Sequence, residues 1–422
     1  MKKKNKLFLL LLICISFIII FHINHKHVLL YRKANGLYQV CKSKKTKITS
    51  LYDTNYQTNG KDIILFSDFR NLYSYNVNNN IKKLLLENPK DFYILDKNSF
   101  VVLNNNNTLY TIIGTFKSLI EKKVKKISII NYDTILYDYN GKKIIYNISS
   151  RKKKVFDNFD SFTFSLNKKN IIIKANSNYY IYNIKKNKII SRFTNIDDFL
   201  CINKDCTHLF YVKDRYLYST LYKNKILDKN IYRILNNDKE QLIYSKYKND
   251  KFVLYYKDGS KKTKKIDERN NEFTDVSING SKINYLVGGV YVNRTFLKIR
   301  NEIDCVSQLI KSNNGKTLLL KGDDLYDDDH LLAKNVVSNS IKIVHKKIYY
   351  LKKGKDGFNL YYKLGNKEKL ISRKVYNYVI LNNTIYYLSN YNEIESSGDL
   401  YTYHIRKKLI DKDVSEILSI DS

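Results

Sequence analysis

The chain has 422 residues and a formal net charge of +35, and 43% of its residues are hydrophobic. This composition excludes a disordered protein, and the single Pro excludes collagen-like and proline-linker proteins. The 38 Tyr, together with abundant Ile, Val and Phe, favour β-strands.

The first element in chain order is a membrane-targeting segment. Four lysines in residues 1–6 precede an unbroken apolar run that ends at Phe21. A basic flank before an apolar run inserts with its N-terminus in the cytoplasm. We therefore predict a cytoplasmic tip over residues 1–6, a single signal anchor or transmembrane helix over 7–23 and a juxtamembrane linker over 24–45. The remaining chain would then lie outside the cytoplasm, at the cell membrane.

A cleaved signal peptide is the alternative to this anchor, because the apolar region of a signal peptide has about 7–15 residues. No A-x-A-like cleavage site follows Phe21. This absence favours the uncleaved anchor.

Residues 46–422 are organised by a repeat. An aliphatic residue followed by Tyr recurs roughly every 36 residues. Another apolar run lies shortly before each pair. In many units a basic turn and a third apolar run follow the pair. The ten pairs are Leu72-Tyr73, Leu109-Tyr110, Ile145-Tyr146, Ile181-Tyr182, Leu217-Tyr218, Leu254-Tyr255, Val290-Tyr291, Leu325-Tyr326, Leu360-Tyr361 and Leu400-Tyr401.

Short polar turns separate these apolar runs, and helical periodicity is nearly absent. Asn140-Gly141, Asp258-Gly259 and Asn314-Gly315 are typical two-residue hairpin turns. The sequence therefore predicts an all-β fold, a β-propeller of four-stranded antiparallel blades with about 7–10 repeat units. A β-sandwich array or a β-solenoid is the alternative.

Two structural expectations follow from the repeat. The leucines of the recurring pairs should be buried: Leu72, Leu109, Leu217, Leu254, Leu360 and Leu400. The last apolar run, over residues 414–420, looks like a lone strand. Because an open sheet edge is an aggregation hazard, we expect it to pair with N-terminal strands near residues 48–66.

The repeat also resembles a known family. Residues 384–388 read Thr-Ile-Tyr-Tyr-Leu, residues 398–403 read Gly-Asp-Leu-Tyr-Thr-Tyr and residues 407–410 read Lys-Lys-Leu-Ile, and residues 346–371 carry nearly the same pattern. The pattern is similar to TolB-like propellers of AT-rich Gram-positive bacteria, especially the low-density-lipoprotein-receptor-like propellers of unknown function. The resemblance covers residues 45–420. It implies a propeller fold and a surface location, and no activity.

The positive charge has two explanations. Lys, Asn, Ile and Tyr are the residues that an AT-rich genome over-uses, so codon bias is one. A surface that binds polyanions is the other. The lysines are spread over the whole chain, and Arg, which reads bases and phosphates with two hydrogen bonds, is sparse. This distribution argues against a specific nucleic-acid partner.

The candidate sites are few. The sequence contains no G-x-S-x-G, H-E-x-x-H, phosphate-loop or C-x-x-C motif, and we expect no cofactor. One acidic cluster could hold Ca²⁺ through carboxylate oxygens. Its members are Asp323, Asp324, Asp327, Asp328 and Asp329. A repeat turn whose carboxylates balance neighbouring lysines is the alternative.

Two cysteines form the other candidate site. Cys201 and Cys206 flank a short polar turn between two apolar runs, so they could form a disulfide across a hairpin. Buried free thiols are the alternative.

These features predict a membrane-anchored, extracytoplasmic propeller that binds a partner without catalysis. The membrane is contacted through the N-terminal helix, and the expected ligand is a protein or an anionic cell-envelope polymer. The alternative is a cell-surface hydrolase or lyase that acts on carbohydrate or peptide.

Overall fold

The computed structural model describes residues 28–41, 44–51, 55–59, 62–68, 70–96, 98–176, 178–259, 261–295, 298–311, 317–327, 330–381 and 383–418. These residues form 43 β-strands and two short 3₁₀ helices, Thr220–Tyr222 and Ser338–Ser340. The predicted all-β class is confirmed. The helix predicted over residues 7–23 lies outside the described residues. Among those that are described, no helix has the length and apolar character needed to span a membrane.

The chain divides into two compact units. Unit 1 comprises Met1–Asp133 and Asn339–Ser422, and unit 2 comprises Thr134–Ser338. Unit 1 begins with β1 (Val28–Lys33), β2 (Gly36–Cys41), β3 (Lys44–Thr49), β4 (Asn55–Thr58), β5 (Ile63–Ser67), β6 (Asn71–Asn76), β7 (Ile81–Glu87), β8 (Pro89–Asp96), β9 (Ser99–Asn104), β10 (Leu109–Ile113), β11 (Phe116–Glu121) and β12 (Val124–Asn131).

Unit 2 contributes the next 23 strands. They are β13 (Thr134–Tyr139), β14 (Lys142–Asn147), β15 (Lys153–Phe156), β16 (Phe159–Phe164), β17 (Asn170–Ala175), β18 (Asn178–Asn183), β19 (Lys188–Thr194), β20 (Asp198–Cys201), β21 (Leu209–Lys213), β22 (Tyr216–Ser219), β23 (Lys225–Lys229), β24 (Arg233–Asp238), β25 (Gln241–Lys248), β26 (Lys251–Asp258), β27 (Lys264–Arg269), β28 (Phe273–Asn279), β29 (Lys282–Val287), β30 (Val290–Thr295), β31 (Ile299–Ile303), β32 (Gln308–Lys311), β33 (Thr317–Lys321), β34 (Asp324–Asp327) and β35 (His330–Ala333).

Unit 1 is completed by the last eight strands. They are β36 (Lys342–Val344), β37 (Lys347–Gly354), β38 (Gly357–Leu364), β39 (Lys367–Ser372), β40 (Val375–Leu381), β41 (Thr384–Asn392), β42 (Ser397–Tyr403) and β43 (Lys407–Leu418).

Most sheets contain four antiparallel strands in chain order. In unit 2 these are β16–β19, β20–β23, β24–β27, β28–β31 and β32–β35, and β13, β14 and β15 also pair in sequence. In unit 1 they are β4–β7, β8–β11 and β36–β39. The first strands of successive sheets pack beside one another, β20 next to β24 and β24 next to β28 in unit 2. Four-stranded sheets that meet along their first strands have the arrangement of propeller blades.

The recurring aliphatic–Tyr pairs mark the third strand of each repeat. The ten pairs fall on β6, β10, β14, β18, β22, β26, β30, β34, β38 and β42. All six leucines predicted to be buried are 0% exposed: Leu72, Leu109, Leu217, Leu254, Leu360 and Leu400. An eleventh pair, Leu37-Tyr38, lies on β2 and was not predicted, and Leu37 is equally buried. Strand periodicity therefore located the core correctly.

The two ends of the described chain meet in a single sheet of unit 1. Its strand order is β3-β2-β1-β43-β42-β41-β40. The first half of β43 pairs with β42, and its second half pairs with β1, with Leu30 opposite Leu418 and Arg32 opposite Glu416. We call this pairing of β1 with β43 the joint.

The joint corrects two expectations. The C-terminal run does pair with an N-terminal strand, but the partner is β1 and not the segment near residues 48–66. Strands also begin at Val28, inside the segment predicted as a linker over 24–45. The first strand of this repeat comes from the far end of the chain, so the local pattern of four apolar runs is incomplete there and did not predict the repeat.

The predicted turns have mixed outcomes. Asn140-Gly141 connects β13 to β14 as a two-residue turn, with both residues at positive φ as a type I′ turn requires. Asp258 ends β26, but β27 starts only at Lys264, so Asp258-Gly259 opens a longer connection. Asn314-Gly315 lies outside the described residues.

Candidate functional site

Lysines of the fourth strands are held on tyrosine rings of the third strands. In three sheets of unit 1 the same register places the Lys opposite the residue two positions after the Tyr. The distances from Nζ to the ring centroid are 3.9 Å for Lys82 over Tyr73, 4.1 Å for Lys117 over Tyr110 and 4.0 Å for Lys407 over Tyr401. A cation over an aromatic face is attracted by the ring quadrupole. We call these three pairs the lysine–tyrosine pairs.

A second recurring contact joins one repeat to the next. A carboxylate on a fourth strand accepts a hydrogen bond from a buried Tyr on the second strand of the following repeat. The pairs are Asp411 with Tyr31, Asp228 with Tyr244 and Asp267 with Tyr285. A cation completes each contact, so we call the three groups carboxylate locks.

The cations of the locks neutralise the buried carboxylates. Asp411 binds Lys33 at 3.3 Å and Lys45 at 3.0 Å, and its side chain is only 7% exposed. Burial alone would raise the pKa of the Asp411 carboxyl, but hydrogen bonds from Lys45 and Tyr31 and the charge of Lys33 hold it below its ordinary value. The carboxylate is therefore ionised in the folded protein at neutral pH.

The Asp228 lock in unit 2 has the same electrostatics. Asp228 binds the Nζ of Lys246 at 2.8 Å. Burial opposes ionisation of Asp228, but hydrogen bonds from Lys246 and Tyr244 lower the pKa of its carboxyl overall. Both carboxylates are fully engaged by side chains of the protein, so the locks are structural and do not present a free acid or base.

The main candidate for a ligand site is a pocket of about 610 Å³ in unit 2, between the entrances to β20 and β24. Its wall includes two consecutive carboxylates, two guanidinium groups and two tyrosines. The lining residues are Asp197, Asp198, Val212, Arg215, Ile231, Tyr232, Arg233 and Tyr247. We call it the β20–β24 pocket.

An aromatic cluster forms one side of this pocket. Tyr232 and Tyr247 are 48% and 43% exposed. The ring of Phe252 packs edge-on against Tyr232, with centroids 5.2 Å apart, and lies 4.9 Å from Tyr247. Edge-to-face packing is the favoured geometry for aromatic pairs, so Phe252 supports the two tyrosines and fixes their positions.

The charged side chains of the pocket differ in their contacts and in their exposure. Asp198 accepts hydrogen bonds from the amides of Phe199 and Ile234, which ties β20 to β24, and burial raises the pKa of its carboxyl. Arg233 forms a 3.2 Å ion pair with Glu272. Asp197 and Arg215 are exposed. Asp198 is therefore held in place by backbone amides, whereas Asp197 is open to solvent in the same pocket.

The described members of the acidic cluster lie in one strand and the turn before it. Asp323 lies in the two-residue turn before β34, and Asp324 and Asp327 lie at opposite ends of β34. Three residues of a strand span about 10 Å, too far for one cation to bind both carboxylates. Asp328 and Asp329 lie outside the described residues. Within the ranges that the structure describes, no group of three metal-binding side chains comes together.

The two cysteines occupy one turn. Cys201 ends β20, and Cys206 lies in the connection to β21. They form a disulfide, with their Cα atoms 4.7 Å apart. Cys305 is a free, exposed thiol.

Comparison with known proteins gives no family. No family model matches the chain, and no curated protein matches it. Among solved structures, a eukaryotic initiation factor shares 10% identity over 93% of this chain and 98% of that chain, with a TM-score of 0.43. The β-propeller domain of the Trilobed protease from Pyrococcus furiosus shares 13% identity over 92% of this chain and 99% of its own, with a TM-score of 0.26.

An extracellular domain of a one-component system from B. thetaiotaomicron is also similar. It shares 8% identity over 92% of this chain and 77% of that chain, with a TM-score of 0.26. At these TM-scores and identities the similarities transfer neither a detailed architecture nor a function to this chain.

Proposed function

We propose that the protein is a non-catalytic binding module for an anionic cell-envelope polymer, held at the outer face of the membrane by a helix over residues 7–23. The observation that carries this proposal is the set of lysine–tyrosine pairs. Each pair holds an ammonium group at the same register on the fourth strand of its repeat. The resemblance to TolB-like propellers implies a surface location, which agrees with the proposed membrane anchoring.

Fixed ammonium groups suit a polymer better than a small anion. A single exposed charge pair contributes little at physiological salt, whereas a polymer engages several positions at once. Lysine is a strongly hydrated point charge that attracts phosphate or carboxylate without base-specific geometry. Repeated lysines therefore support adhesion along a chain of negative charges.

Binding of the full chain to poly(glycerol phosphate) tests the proposal. The polymer is immobilised, and retention is measured at 0.01 M and 0.15 M salt, where the Debye length is about 30 Å and 8 Å. We expect retention to persist at 0.15 M. Loss of all retention at 0.15 M would overturn the proposal and leave codon bias as the account of the lysines.

A pair of charge-matched variants locates the interaction. The first carries Lys82→Gln, Lys117→Gln and Lys407→Gln, and it removes the lysine–tyrosine pairs. The control carries Lys123→Gln, Lys168→Gln and Lys223→Gln, which removes the same charge from exposed turn residues at positive φ. We expect retention at 0.15 M to fall several-fold more in the first variant. Equal losses would mean that only diffuse charge acts.

The extracytoplasmic location has its own test in the thiols. Disulfides persist in oxidising compartments and are rare in the cytosol. In protein taken from its native cells, we expect a thiol-alkylating reagent to label Cys305 directly and to label Cys201 and Cys206 only after reduction. Direct labelling of all three cysteines would place the domain in a reducing compartment.

A further inference from the structure

We infer that the β20–β24 pocket binds a sugar ring that carries a carboxylate or phosphate substituent, as a repeating unit of an anionic glycan. This inference rests on the proposed function and names the chemical unit of the polymer that it recognises. Three features of the pocket carry it: a supported aromatic surface, a pair of arginines and an exposed carboxylate.

The aromatic surface provides the platform. Tyr232 and Tyr247 leave about half of their surface open to solvent although Phe252 packs against both. Isolated exposed aromatics are common, but two on one supporting ring form a fixed apolar surface beside polar groups. The C–H face of a sugar ring packs on such a surface while its hydroxyl groups stay free to hydrogen-bond.

The arginines provide the anion site. Only 11 of the 75 basic residues of the chain are Arg, and two of them, Arg215 and Arg233, line this one pocket. Arg binds carboxylate or phosphate through two parallel hydrogen bonds, which Lys cannot do. The ion pair of Arg233 with Glu272 uses one terminal nitrogen, and a guanidinium has five N–H donors, so donors remain for a ligand.

The carboxylate of Asp197 selects the rest of the ligand. It is exposed in the same pocket as the two arginines. A bare polyanion would be repelled by it, whereas hydroxyl groups donate to it. The combination therefore favours a ligand with an anionic substituent and neighbouring hydroxyls, which is an acidic sugar.

Calorimetric titration of the full chain at 0.15 M salt tests this inference. The probes are trigalacturonate for the carboxylate, glucose 1-phosphate for the phosphate and maltotriose as the neutral sugar. We expect at least one acidic probe to bind about tenfold more tightly than maltotriose, and the acidic probe that binds identifies the source of the anion. Equal affinities for all three, or no binding of either acidic probe, would overturn the inference.

Two variants and one matched control assign the contact. Arg215→Lys keeps the charge and removes the two-pronged donor, so it should weaken acidic-sugar binding about tenfold. Arg151→Lys is the control, because Arg151 is also an exposed turn residue of unit 2 at positive φ. Tyr247→Ala should weaken the acidic and neutral sugars alike. Equal effects of Arg215→Lys and Arg151→Lys would contradict the assignment.

The two proposals fail separately. If poly(glycerol phosphate) is retained at 0.15 M but no acidic sugar binds in an Arg215-dependent way, the pocket inference is wrong and the proposed function stands. If the acidic sugar binds through Arg215 but no polymer is retained, the pocket assignment stands and polymer adhesion is wrong.

Discussion

Two carboxylate locks, that of Asp411 in unit 1 and that of Asp228 in unit 2, have the same chemistry but join very different parts of the chain. Asp228 reaches Tyr244 only 16 residues away. Asp411 reaches Tyr31 across 380 residues, and its lysine partners are 378 and 366 residues away. Both locks connect a fourth strand to the second strand of the following repeat, so the joint reproduces at the chain ends a contact that elsewhere links neighbours.

The same contact between repeats has different requirements for its formation at short and at long sequence separation. A local lock forms as soon as two adjacent repeats are present. The lock at the joint forms only when β43 lies beside β1, and these two chain ends must first be brought together against chain entropy. We therefore expect stability of unit 1 to be more sensitive at the joint than stability of unit 2 is at Asp228.

Truncation after Asp413 should have the largest effect. It removes the half of β43 that pairs with β1 and three buried aliphatic side chains, Val414, Ile417 and Leu418. Loss of their burial and of the strand pairing should lower the free energy of unfolding by about 5 kcal/mol. Urea unfolding followed by circular dichroism measures it.

Truncation after Leu418 is the control for that experiment, because it leaves every described pairing of the joint in place. If both truncations unfold at the urea concentration of the intact chain, the joint does not hold unit 1 together.

Asp411→Asn should have the next largest effect. The amide cannot neutralise the partly buried Lys33 or the exposed Lys45, which leaves both cations without their carboxylate. We expect a loss of about 3 kcal/mol in the free energy of unfolding. Asp413→Asn, two residues away and exposed, is the matched control and should change it by less than about 0.5 kcal/mol. Equal effects of the two variants would show that the lock contributes nothing.

The pH dependence of Asp411→Asn sharpens this test. The pKa of Asp411 is lowered in the folded state, so the carboxylate stabilises the fold fully above its ordinary pKa of 3.8. That stabilisation is lost as the pH falls from there through the lowered folded-state pKa. The difference in unfolding free energy between the wild type and Asp411→Asn should therefore be constant near neutral pH and shrink below about pH 4. A difference that grows on acidification would have the wrong sign.

Asp228→Asn should cost less than Asp411→Asn, about 2 kcal/mol, because it leaves one Lys without its carboxylate while Tyr244 keeps its hydrogen bond to Thr263. The same urea titration compares the two. A cost equal to or above that of Asp411→Asn would mean that local burial, and not the closing of the chain ends, sets the importance of a lock.

Lys82→Gln should have the smallest effect. It removes the cation 3.9 Å from the ring centroid of Tyr73 at an exposed edge strand, which is worth about 0.5–1 kcal/mol. Lys83→Gln on the same strand is the control, since it removes one charge from the adjacent exposed position. Indistinguishable unfolding curves for the two variants would show that the pair adds nothing beyond charge.

Much of the fold could be predicted because the repeat is local. The Leu72-Tyr73 type of pair signals a half-buried third strand wherever it occurs, since alternation places Leu on the core side. The joint could not be predicted in position, because a pairing 380 residues apart leaves no trace in a single sequence. The Leu37-Tyr38 pair was the available signal for the extra repeat.

The β20–β24 pocket was not predicted for a related reason. Its residues come from the starts of β20 and β24, a tight turn and the end of β25. In the sequence, each of these segments looks like an ordinary polar turn or strand end. The scarcity of Arg in a lysine-rich chain was the one hint, because Arg215 and Arg233 stand out against it. The cation site at the acidic cluster stays a prediction, although Asp324 and Asp327 lie at opposite ends of one strand.

The joint also determines how long β1 lacks its partner strand during biosynthesis. Tyr31 leaves the ribosome 380 residues before its partner Asp411 does. At about 5–20 residues per second, that interval lasts roughly 20–80 s. During this time β1 presents an unpaired edge to its surroundings, which is the template for wrong pairing with other nascent chains. A holdase acting on this strand, or rapid pairing of β1 with β2 and β3 alone, would decide how much of the newly made protein reaches its native state.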